Sequence, residues 1–405
     1  LVGSEMCIRD RYIMKNKIVE LIAANVEGLT AAELADLIEI PPKPELGDFA
    51  FPCFRLAKTM RKAPQMIAND IKEAIGDVDF LQEIQVQGAY LNFFVKKELF
   101  IETMVTASMA DDFGSSTEGN GQTICIDYSS PNVAKNFHVG HLRTTIIGNS
   151  LYKIYSKLGY KVVRINHLGD WGTQFGKLIV AYKAWGSEEA VKKDGVAELM
   201  KLYVKFHDEA EKNPELNDEA RAWFAKMEHG DEEALKIWQW FKDISLIEYK
   251  RTYDLLGMDF DYYLGESFYR DKTDDVVKRL TDANLLTESE GAKIVNLDAY
   301  DMAPCLILKN DGSSIYATRD IAAIFYRKET YNFVKCLYVT GQEQKLHFKQ
   351  VFKVVELLGN EWAKDQLVHI PYGLVSLEGA KLSTRSGNII YAEDILLEAI
   401  AKIKE

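Results

Sequence analysis

The chain contains few cysteines and no motif that pairs them. Its five cysteines, Cys7, Cys53, Cys125, Cys305 and Cys336, are widely separated, and no two form a Cys-x-x-Cys pair. This pattern argues against a zinc site and is typical of a protein kept in a reducing cytosol. We therefore expect a cytoplasmic protein without protein-bound zinc.

Long apolar runs and an excess of positive charge are also missing. No apolar run approaches the ~20 residues that a membrane-spanning helix needs, and the sequence has no signal-peptide pattern. The formal net charge of the 405 residues is −12, which is the wrong sign for binding a polyanion through a global positive field. Any contact with nucleic acid is therefore expected to use local basic patches. The length and the 47% hydrophobic content suffice for two or more cores.

Both ends of the chain differ from the rest. Residues 1–13 show neither a repeat nor a clear periodicity, whereas an amphipathic helix is predicted from Met14. We interpret residues 1–13 as a non-native leader. Apolar residues recur at helical spacing from Glu393 to the last residue, Glu405, which predicts that further sequence follows.

Residues 14–118 are predicted to form a small α+β domain. Helical and strand patterns alternate up to Val86–Val95, which reads as one strand with a bend at Gly88. The polar run Gly114–Gln122 then reads as a linker. The residues alone leave open whether this domain contacts a partner or only packs as a domain.

The remainder, residues 119–405, has the pattern of a parallel sheet flanked by helices. Thr123–Tyr128 reads as a strand, and a helical pattern follows until Gly159. Lys161–Ile165 reads as the next parallel strand. Further strands are predicted at Cys305–Leu308, Lys335–Val339 and Leu367–Ile370. The predicted fold is α/β, a doubly wound parallel (Rossmann-like) sheet.

A helical insertion at about 187–300 interrupts this sheet. Within it, the apolar residues Leu235, Trp238, Leu246, Tyr249, Tyr253 and Leu256 mark one face of a long helix. Such a face is expected to be core rather than a binding stripe.

The loop after the first strand contains His-x-Gly-His, formed by His138, Gly140 and His141. It opens at the carboxyl ends of the strands, where open α/β sheets bind ligands. The free N–H groups and the positive dipole end of the helix favour a triphosphate, and the histidines add donors. Gly140 lacks a Cβ, which would let a flat ligand lie against the backbone. Histidines that only satisfy the loop are an equal alternative from these residues alone.

Four further blocks accompany this motif in order along the chain. They are PELGDFAFPCFRLAK near the amino end, NHLGDWGTQFGKL at 166–178, YATRD at 316–320 and KLSTRSGN from Lys381. Together with SSPNVAKNFHVGHLR around the histidines, these blocks resemble the class I aminoacyl-tRNA synthetases and, within them, the arginyl-tRNA synthetases. KLSTR takes the place of the Lys-Met-Ser-Lys-Ser loop of the class. The resemblance covers nearly the whole chain.

The resemblance implies arginine–tRNA ligase activity in protein synthesis. L-arginine and ATP would form arginyl-adenylate and pyrophosphate, and the arginine would then pass to the 3′ end of tRNA(Arg). ATP would carry Mg²⁺ on its phosphates, and the enzyme would act as a monomer. The amino-terminal domain would contact the elbow of the tRNA, and an anticodon-binding domain, absent from these residues, would follow.

For ATP, the resemblance implies two groups of residues on opposite sides of the triphosphate. One side holds the His-x-Gly-His residues, and the other is a closing loop with the catalytic residues Lys381, Ser383 and Arg385. The second signature lysine of this loop is Thr384 here, which cannot carry the lysine charge. We predict that Lys135, three residues before His138, supplies this charge; the alternative is a solvated lysine near an anion.

For arginine, the chemistry of the side chain restricts the residue types. A guanidinium is planar, forked and permanently charged, so its pocket should contain carboxylates. The residues that match the arginine positions of the family are Asp127, Asn132, Tyr316, Asp320 and Gln344. By resemblance, Asp127, Tyr316 and Asp320 hold the guanidinium, while Asn132 and Gln344 hold the α-amino and carboxylate end. Two alternatives stay open: Asp320 only caps a helix at 321–330, or Asp127 only bonds loop backbone.

A second loop is unusually rich in special residues. By resemblance, this loop lies beside the amino acid and the adenylate, and its residues are His167, Gly169, Asp170, Trp171 and Gln174. The glycines of this loop would allow close backbone approach, and Trp171 would wall the pocket.

Some roles and functions stay open at this point. His347, in GQEQKLH, is equally consistent with a structural and a catalytic role. Two other functions compete with arginine activation, namely a small-molecule nucleotidyltransferase that shares the His-x-Gly-His fold and a non-catalytic relative that only binds RNA.

Overall fold

The structure is a computed structural model, in which the chain forms two compact units. The division falls between Ser115 and Ser116, and each unit has its own hydrophobic core. The residues described are 8–404, except for 27, 311, 374–375, 378–379 and 382–389. Within those residues no helix is both long and apolar enough to cross a membrane.

The first unit packs helices against a three-stranded antiparallel sheet. Its helices are α1 (Ile8–Ala23), α2 (Ala31–Leu37), α3 (Ala57–Met60), α4 (Pro64–Ile75) and α5 (Lys97–Ser108), and its strands are β1 (Phe49–Pro52), β2 (Leu81–Gln87) and β3 (Tyr90–Val95). The strand order is β1-β3-β2, and buried Phe49, Phe51 and Phe93 lie in its core. The predicted α+β class of this small unit is confirmed.

Two boundaries in this unit differ from the prediction. The helix expected from Met14 begins at Ile8. The segment expected as one bent strand is a hairpin, because Gly88 adopts a positive φ of 61° and turns β2 back into β3. A glycine in this conformation closes a tight turn at little steric cost.

The second unit is larger and mixes helices with strands. Its helices are α6 (Val139–Lys157), α7 (Thr173–Trp185), α8 (Glu188–Asp194), α9 (Val196–Lys212), α10 (Glu215–Glu228), α11 (Glu232–Leu255), α12 (Glu266–Tyr269), α13 (Thr273–Asp282), α14 (Tyr316–Tyr331), α15 (Lys345–Leu357), α16 (Ala363–Gln366) and α17 (Ala392–Lys404). Its strands are β4 (Thr123–Asp127), β5 (Lys161–Asn166), β6 (Tyr262–Tyr263), β7 (Leu286–Ser289), β8 (Ala292–Val295), β9 (Cys305–Leu308), β10 (Lys335–Gly341), β11 (Leu367–Tyr372), β12 (Ser376–Leu377) and β13 (Ala380–Lys381).

The central sheet of this unit has five parallel strands in the order β11-β10-β4-β5-β6. From β4 the chain proceeds to β5 on one side, and it later fills the other side with β10 and β11. The strand order therefore reverses between β4 and β10, and a crevice opens there at the carboxyl ends. Side chains of β4 alternate between two cores, with Ile124 and Ile126 in one and Cys125 in the other. The predicted doubly wound parallel sheet is confirmed.

One predicted strand belongs to a different sheet. Cys305–Leu308 is extended, but it pairs antiparallel with β8 in the separate sheet β7-β8-β9. A short apolar run indicates a buried strand without indicating its partner, so the sequence assigned it to the wrong sheet. The two-residue strand Tyr262–Tyr263 lies inside the predicted insertion of 187–300, yet it pairs with β5.

The long helix α11 turns its predicted apolar face inwards. Tyr249 and Tyr253 are buried, and Leu235, Trp238 and Leu246 pack against the cores. The prediction that this face is core is confirmed. Polar atoms of the same helix also form hydrogen bonds with a loop of the site, as described below.

Candidate active site

The first histidine of the motif caps helix α6. His138 is the N-cap residue, and its Nδ1 accepts a hydrogen bond from the Gly140 N–H at 3.1 Å. The Nδ1 atom of His141 accepts from the His138 N–H at 3.2 Å. The two rings stack with centroids 3.9 Å apart. Because both Nδ1 atoms accept, the ring hydrogens lie on the Nε2 atoms, which are left as donors.

Both histidines are neutral at pH 7. Burial, helped by the charge of Lys135, lowers the pKa of His138. Burial, His138 and Lys135 together lower the pKa of His141 to about 3. These rings can donate hydrogen bonds to a phosphate but do not neutralise its charge, so a cation at this helix end has to come from another residue, such as Lys135.

Gly140 makes room for the His138 ring. A Cβ at this position would lie 2.8 Å from Cε1 of His138, which is closer than carbon atoms pack. The glycine therefore admits the His138 ring over the first turn of the helix, and the approach of a flat ligand stays a prediction.

The loop that leads to the motif has a strained backbone. Ser129, Ser130 and Ala134 have positive φ values of 71°, 47° and 61°, which cost energy for residues with a Cβ. Such conformations persist only where surrounding contacts over-determine them. The Ser130 N–H donates to Asn166 Oδ1 at 3.1 Å, and the Ala134 N–H donates to Ser245 Oγ at 2.9 Å.

Helix α11 supplies most of this support. The Tyr249 hydroxyl lies 2.6 Å from Asn132 O and 2.7 Å from Lys135 O, so its hydrogen is shared by the two carbonyls. The Tyr253 hydroxyl bonds Ser129 Oγ at 2.7 Å and accepts from Asn166 Nδ2 at 3.0 Å. The face of α11 thus holds the loop as well as filling the core.

The two predicted loops are joined directly. The Val133 N–H donates to Gly169 O and the Gly169 N–H donates to Pro131 O, both at 3.1 Å. A Cβ on Gly169 would overlap Oδ1 of Asn132. The expected close backbone approach is therefore confirmed at Gly169.

Asp170, predicted to lie beside the amino acid, lines neither of the two cavities described below. It is fully buried and accepts from Lys242 Nζ at 2.6 Å, from the Ser267 N–H at 2.8 Å and from Ser267 Oγ at 2.7 Å. The Trp238 Nε1–H donates to its carbonyl at 2.7 Å. A buried carboxylate with so many donors anchors the loop, and no local pattern indicated these partners.

A cavity of about 440 Å³ opens at the carboxyl ends of β4 and β10. We call it the carboxylate cavity, after its acidic residues Asp127, Glu266, Asp320 and Glu343. The structure brings all the residues predicted for arginine into its lining, namely Asp127, Asn132, Tyr316, Asp320 and Gln344. From the second loop, His167 and Gly169 also line it.

Asp320 is not a helix cap. Helix α14 begins at Tyr316, with Ile315 as its N-cap and no side-chain cap, so the capping alternative is wrong. Tyr316 and Asp320 are one turn apart on the same face of this helix. Asp320 Oδ2 is 2.6 Å from His347 Nε2. Although burial raises the pKa of Asp320, the hydrogen bond and charge of His347 hold it below its usual value.

Asp127 bonds side chains rather than loop backbone. Its Oδ2 pairs with Nη2 of the fully buried Arg327 at 2.8 Å, and its Oδ1 accepts from Ser130 Oγ at 2.9 Å. The same Nη2 atom donates to His167 Nδ1 at 3.2 Å. The alternative that Asp127 only bonds backbone is therefore wrong, and an internal guanidinium already contacts this carboxylate.

Three further charged residues of the cavity, Glu266, Arg319 and Glu343, were not predicted. Glu266 and Arg319 form an ion pair at 3.1 Å. Burial raises the pKa of Glu266 to about 7, against the opposing charge of Arg319. Arg319 lies inside the YATRD block, which was a usable signal. Glu266 lies in the predicted insertion, where no motif marks it.

An adjoining cavity of about 570 Å³ shares Asn132, Glu266, Tyr316 and Arg319 with the first. Trp171 and Gln174, predicted for the arginine pocket, line this second cavity instead. Gln174 belongs to helix α7, which begins at Thr173. Three cationic residues, Lys177, Arg221 and Lys309, also line it.

The second signature loop is described only at its borders. Lys381 ends β13, whose backbone pairs with β12, whereas Ser383, Thr384 and Arg385 lie outside the described residues. Beyond the loop, the Val139 N–H donates to Ile390 O at 3.0 Å. The chain thus returns to the start of α6. The described parts of the chain contain no group of three His, Cys, Asp or Glu residues arranged to hold a metal.

Comparison with known families and proteins gives a consistent result. A family model described as tRNA synthetases class I (R), catalytic domain, matches residues 104–405, and one described as arginyl tRNA synthetase N terminal domain matches residues 16–95. The chain is 55% identical over 393 residues to the arginine–tRNA ligase of Alkaliphilus metalliredigens (strain QYMF) and 57% identical over 393 residues to that of Clostridium perfringens (strain 13 / Type A). Each match covers 96% of this chain and 69% of the relative.

The fold is also that of a solved structure. The arginyl-tRNA synthetase of Thermus thermophilus aligns with a TM-score of 0.68 at 21% sequence identity. The alignment covers 97% of this chain and 70% of that one. At this identity the likeness concerns the fold.

Proposed function

The chain belongs to the class I arginyl-tRNA synthetases, and we propose that it ligates L-arginine to tRNA in two steps at the reversal point of its parallel sheet. In the first step, the arginine carboxylate attacks the α-phosphorus of ATP. A bond forms between a carboxylate oxygen and the α-phosphorus, which gives arginyl-adenylate, as the bond from the α-phosphorus to pyrophosphate breaks. In the second step, a ribose hydroxyl at the 3′ end of the tRNA attacks the arginyl carbonyl, and AMP leaves.

The observation that carries this proposal is the convergence of acidic and amide side chains in the carboxylate cavity. Asp320 faces the cavity from α14 and anchors the guanidinium, beside Tyr316 on the same face. Asn132 and Gln344 line the same cavity and hold the α-amino and carboxylate end. Asp127 acts together with Arg327, because its Oδ2 is engaged by that guanidinium.

The start of α6 is the proposed site of the ATP phosphates. The neutral rings of His138 and His141 donate from Nε2, and the helix N-terminus favours the negative charge. Lys135 supplies a cation that Thr384 cannot, and Lys381, Ser383 and Arg385 are assigned to the ATP phosphates by their match to the signature loop of the family. Because phosphoryl transfer needs no protein nucleophile, positioning and charge stabilisation account for the catalysis. Mg²⁺ enters with ATP as part of the substrate.

The adjoining cavity is the proposed entry for the 3′ end of the tRNA. It shares Asn132 and Tyr316 with the carboxylate cavity, so a nucleotide there is next to the arginyl carbonyl. Its cations, Lys177, Arg221 and Lys309, suit a phosphate backbone, and exposed Tyr316 offers a face for a base.

The two domains of the chain have separate proposed roles. Residues 14–118 contact the tRNA elbow, residues 119–405 form the catalytic domain, and the enzyme acts as a monomer in the cytoplasm, where charged tRNA is used.

Pyrophosphate exchange with each of the twenty amino acids, with and without tRNA, tests the proposal. Of the twenty amino acids, we expect only arginine to support pyrophosphate exchange, and we expect tRNA to stimulate that exchange. Exchange that needs a small-molecule acid other than an amino acid would indicate a nucleotidyltransferase instead. RNA binding without any exchange would indicate a non-catalytic relative.

A further inference from the structure

A fully buried arginine, Arg327, lies behind the carboxylate cavity. It belongs to α14, but it is not one of the residues that line the cavity. Its Nη2 atom is 2.8 Å from Asp127 Oδ2 and 3.2 Å from His167 Nδ1. Asp127 ends β4 and His167 follows β5, which pairs with β4. A single nitrogen atom therefore joins the ends of two neighbouring strands to α14.

The same guanidinium lies over two buried tyrosine rings. Its Cζ is 5.4 Å from the ring centroid of Tyr338, on β10, and 5.9 Å from that of Tyr269, on α12. The His167 ring stacks on Tyr269 with centroids 5.4 Å apart. An arginine suits this place because its planar group forms hydrogen bonds and packs against aromatic faces at the same time. Five elements thus meet at Arg327, namely α14, β4, the loop after β5, α12 and β10.

Each of these five elements, or the loop that follows it, also contributes to the lining of the carboxylate cavity. The lining residues are Asp320 from α14, Asn132 after β4, Gly169 after β5, Glu266 from α12 and Thr340 from β10. A change at Arg327 would therefore reach the cavity from several sides, although the side chain itself does not line it.

The ion pair also decides what Asp127 can offer a ligand. An arginine side chain stays protonated under all conditions that a protein tolerates, so Arg327 compensates the charge of Asp127. A carboxylate has about four acceptor positions, and Arg327 and Ser130 Oγ occupy two of them. Asp127 can therefore still accept hydrogen bonds from a ligand, in an orientation that is already fixed. The other acids of the cavity are Glu266, paired with Arg319, Asp320, bonded to His347, and Glu343.

We propose that Arg327 is a positioning residue for the substrate arginine, which acts through Asp127 by fixing the orientation of its carboxylate and by tying the loop of His167 to α14. This inference rests on the proposed function, in which arginine is the amino acid. A buried ion pair is weak evidence for stability, because apolar residues of similar volume are often at least as stable. Positioning of the arginine pocket accounts for a charge placed in the core.

Substitutions that separate the charge of Arg327 from its geometry test the role. Arg327→Gln removes the charge and leaves Asp127 without its partner, whereas Arg327→Lys keeps a cation on a shorter side chain. Asp127→Asn, alone and combined with Arg327→Gln, tests whether Arg327 acts through Asp127. Arg164→Gln is the matched control, because Arg164 pairs with Asp261 at 2.6 Å and lines neither cavity. Pyrophosphate exchange gives kcat and the KM values for arginine and ATP, and thermal unfolding gives the stability of each variant.

We expect Arg327→Gln to raise the KM for arginine roughly 30-fold, with kcat and the KM for ATP within about threefold of the wild type. Arg327→Lys should raise the KM for arginine about tenfold, because Asp127 stays compensated while the shorter side chain cannot keep both contacts of Nη2. The combined variant should raise it no more than the larger of its two single substitutions, since the two residues act as a unit. Arg164→Gln should lower the unfolding temperature and leave the KM for arginine unchanged.

A KM for arginine within about threefold of the wild type in Arg327→Gln would overturn the role of Arg327. So would a parallel rise in the KM for ATP, an equal rise in Arg164→Gln, or multiplicative effects of Asp127→Asn and Arg327→Gln. If Arg327→Gln does not fold, Arg327→Lys decides in its place, and a KM for arginine within about threefold of the wild type overturns the role. A wild-type chain without arginine-dependent exchange would instead overturn the proposed function itself.

Discussion

The Asn132 side chain occupies the space that a Cβ on Gly169 would need. The two residues lie on different loops that are joined by backbone hydrogen bonds. We expect Gly169→Ala to push Asn132 out of both cavities and to raise the KM for arginine roughly tenfold, because overpacking a tight contact costs about 1–3 kcal/mol. The measurement is arginine-dependent pyrophosphate exchange. Gly230→Ala, at a glycine that lines neither cavity and whose positive φ of 80° makes a side chain strained, controls for the effect of a general loss of stability. If Asn132→Ala and Gly169→Ala had additive effects, the contact would not be their common cause.

Lys135 is expected to supply the cation that Thr384 cannot. We predict that Lys135→Ala lowers the rate of arginine activation at least tenfold, because a charge on the leaving group acts in the transition state. Lys153→Ala, on the exposed face of α6, is the control. A change within about threefold, or ~0.7 kcal/mol of transition-state stabilisation, would show that Lys135 has no such role.

Asp320→Asn should separate arginine binding from ATP binding. Removing the Asp320 carboxylate charge is expected to raise the KM for arginine roughly 100-fold, since losing one partner of a desolvated charge pair costs about 2–5 kcal/mol. The KM for ATP should stay unchanged. Asp275→Asn, which removes an acid from an exposed ion pair, is the control. A parallel loss of arginine and ATP binding would point to a collapsed site rather than to the pocket assigned here.

Glu266 is expected to make stability depend on pH. Its folded pKa of about 7 lies above the ordinary 4.5, so the folded state binds more protons than the unfolded state between these values. The stability that Glu266 contributes is fully present below pH 4.5 and is lost as the pH rises through 7, with a total on the order of 3 kcal/mol. Urea unfolding of Glu266→Gln across this range should show a flatter pH dependence than the wild type. Identical pH profiles would contradict the assignment.

Tyr249→Phe should loosen the strained loop without emptying the core. The substitution keeps the ring and removes the hydroxyl shared by Asn132 O and Lys135 O, which is expected to cost about 1–3 kcal/mol of stability. Activation should fall together with stability, because the loop positions the residues of both substrates. Tyr182→Phe, whose ring packs in the insertion, is the control. Chemical denaturation and exchange kinetics on the same variants measure the two effects.

The sequence predicted most of the site because its motifs come from a few continuous loops. Asp127, Asn132 and the histidines belong to one strand–loop–helix segment, and Tyr316 and Asp320 are one helical turn apart. Their convergence followed from the order of the parallel strands. Glu266 was missed because it comes from a short helix within the insertion, and no local pattern relates that helix to the cavity.

Other differences have the same physical origin. The sequence near Asp170 suggests a ligand pocket, yet its donors, Lys242 and Ser267, are 72 and 97 residues away. The strand Cys305–Leu308 was assigned to the wrong sheet because strand partners are set by long-range pairing. Local periodicity predicts what an element is, and tertiary contacts decide what it touches.

Helix α11 has a consequence for how the site forms during folding. The sequence distance from α11 to the loop it holds is large, with 117 residues between Asn132 and Tyr249. Contacts so distant in sequence are slow to form, because loop-closure entropy is lost before they are gained. The first βαβ segment can therefore adopt its strands and helix early, while the left-handed residues of its loop reach their final geometry only once the insertion has docked. Catalytic competence is then a late event of folding, acquired after most of the secondary structure is already in place.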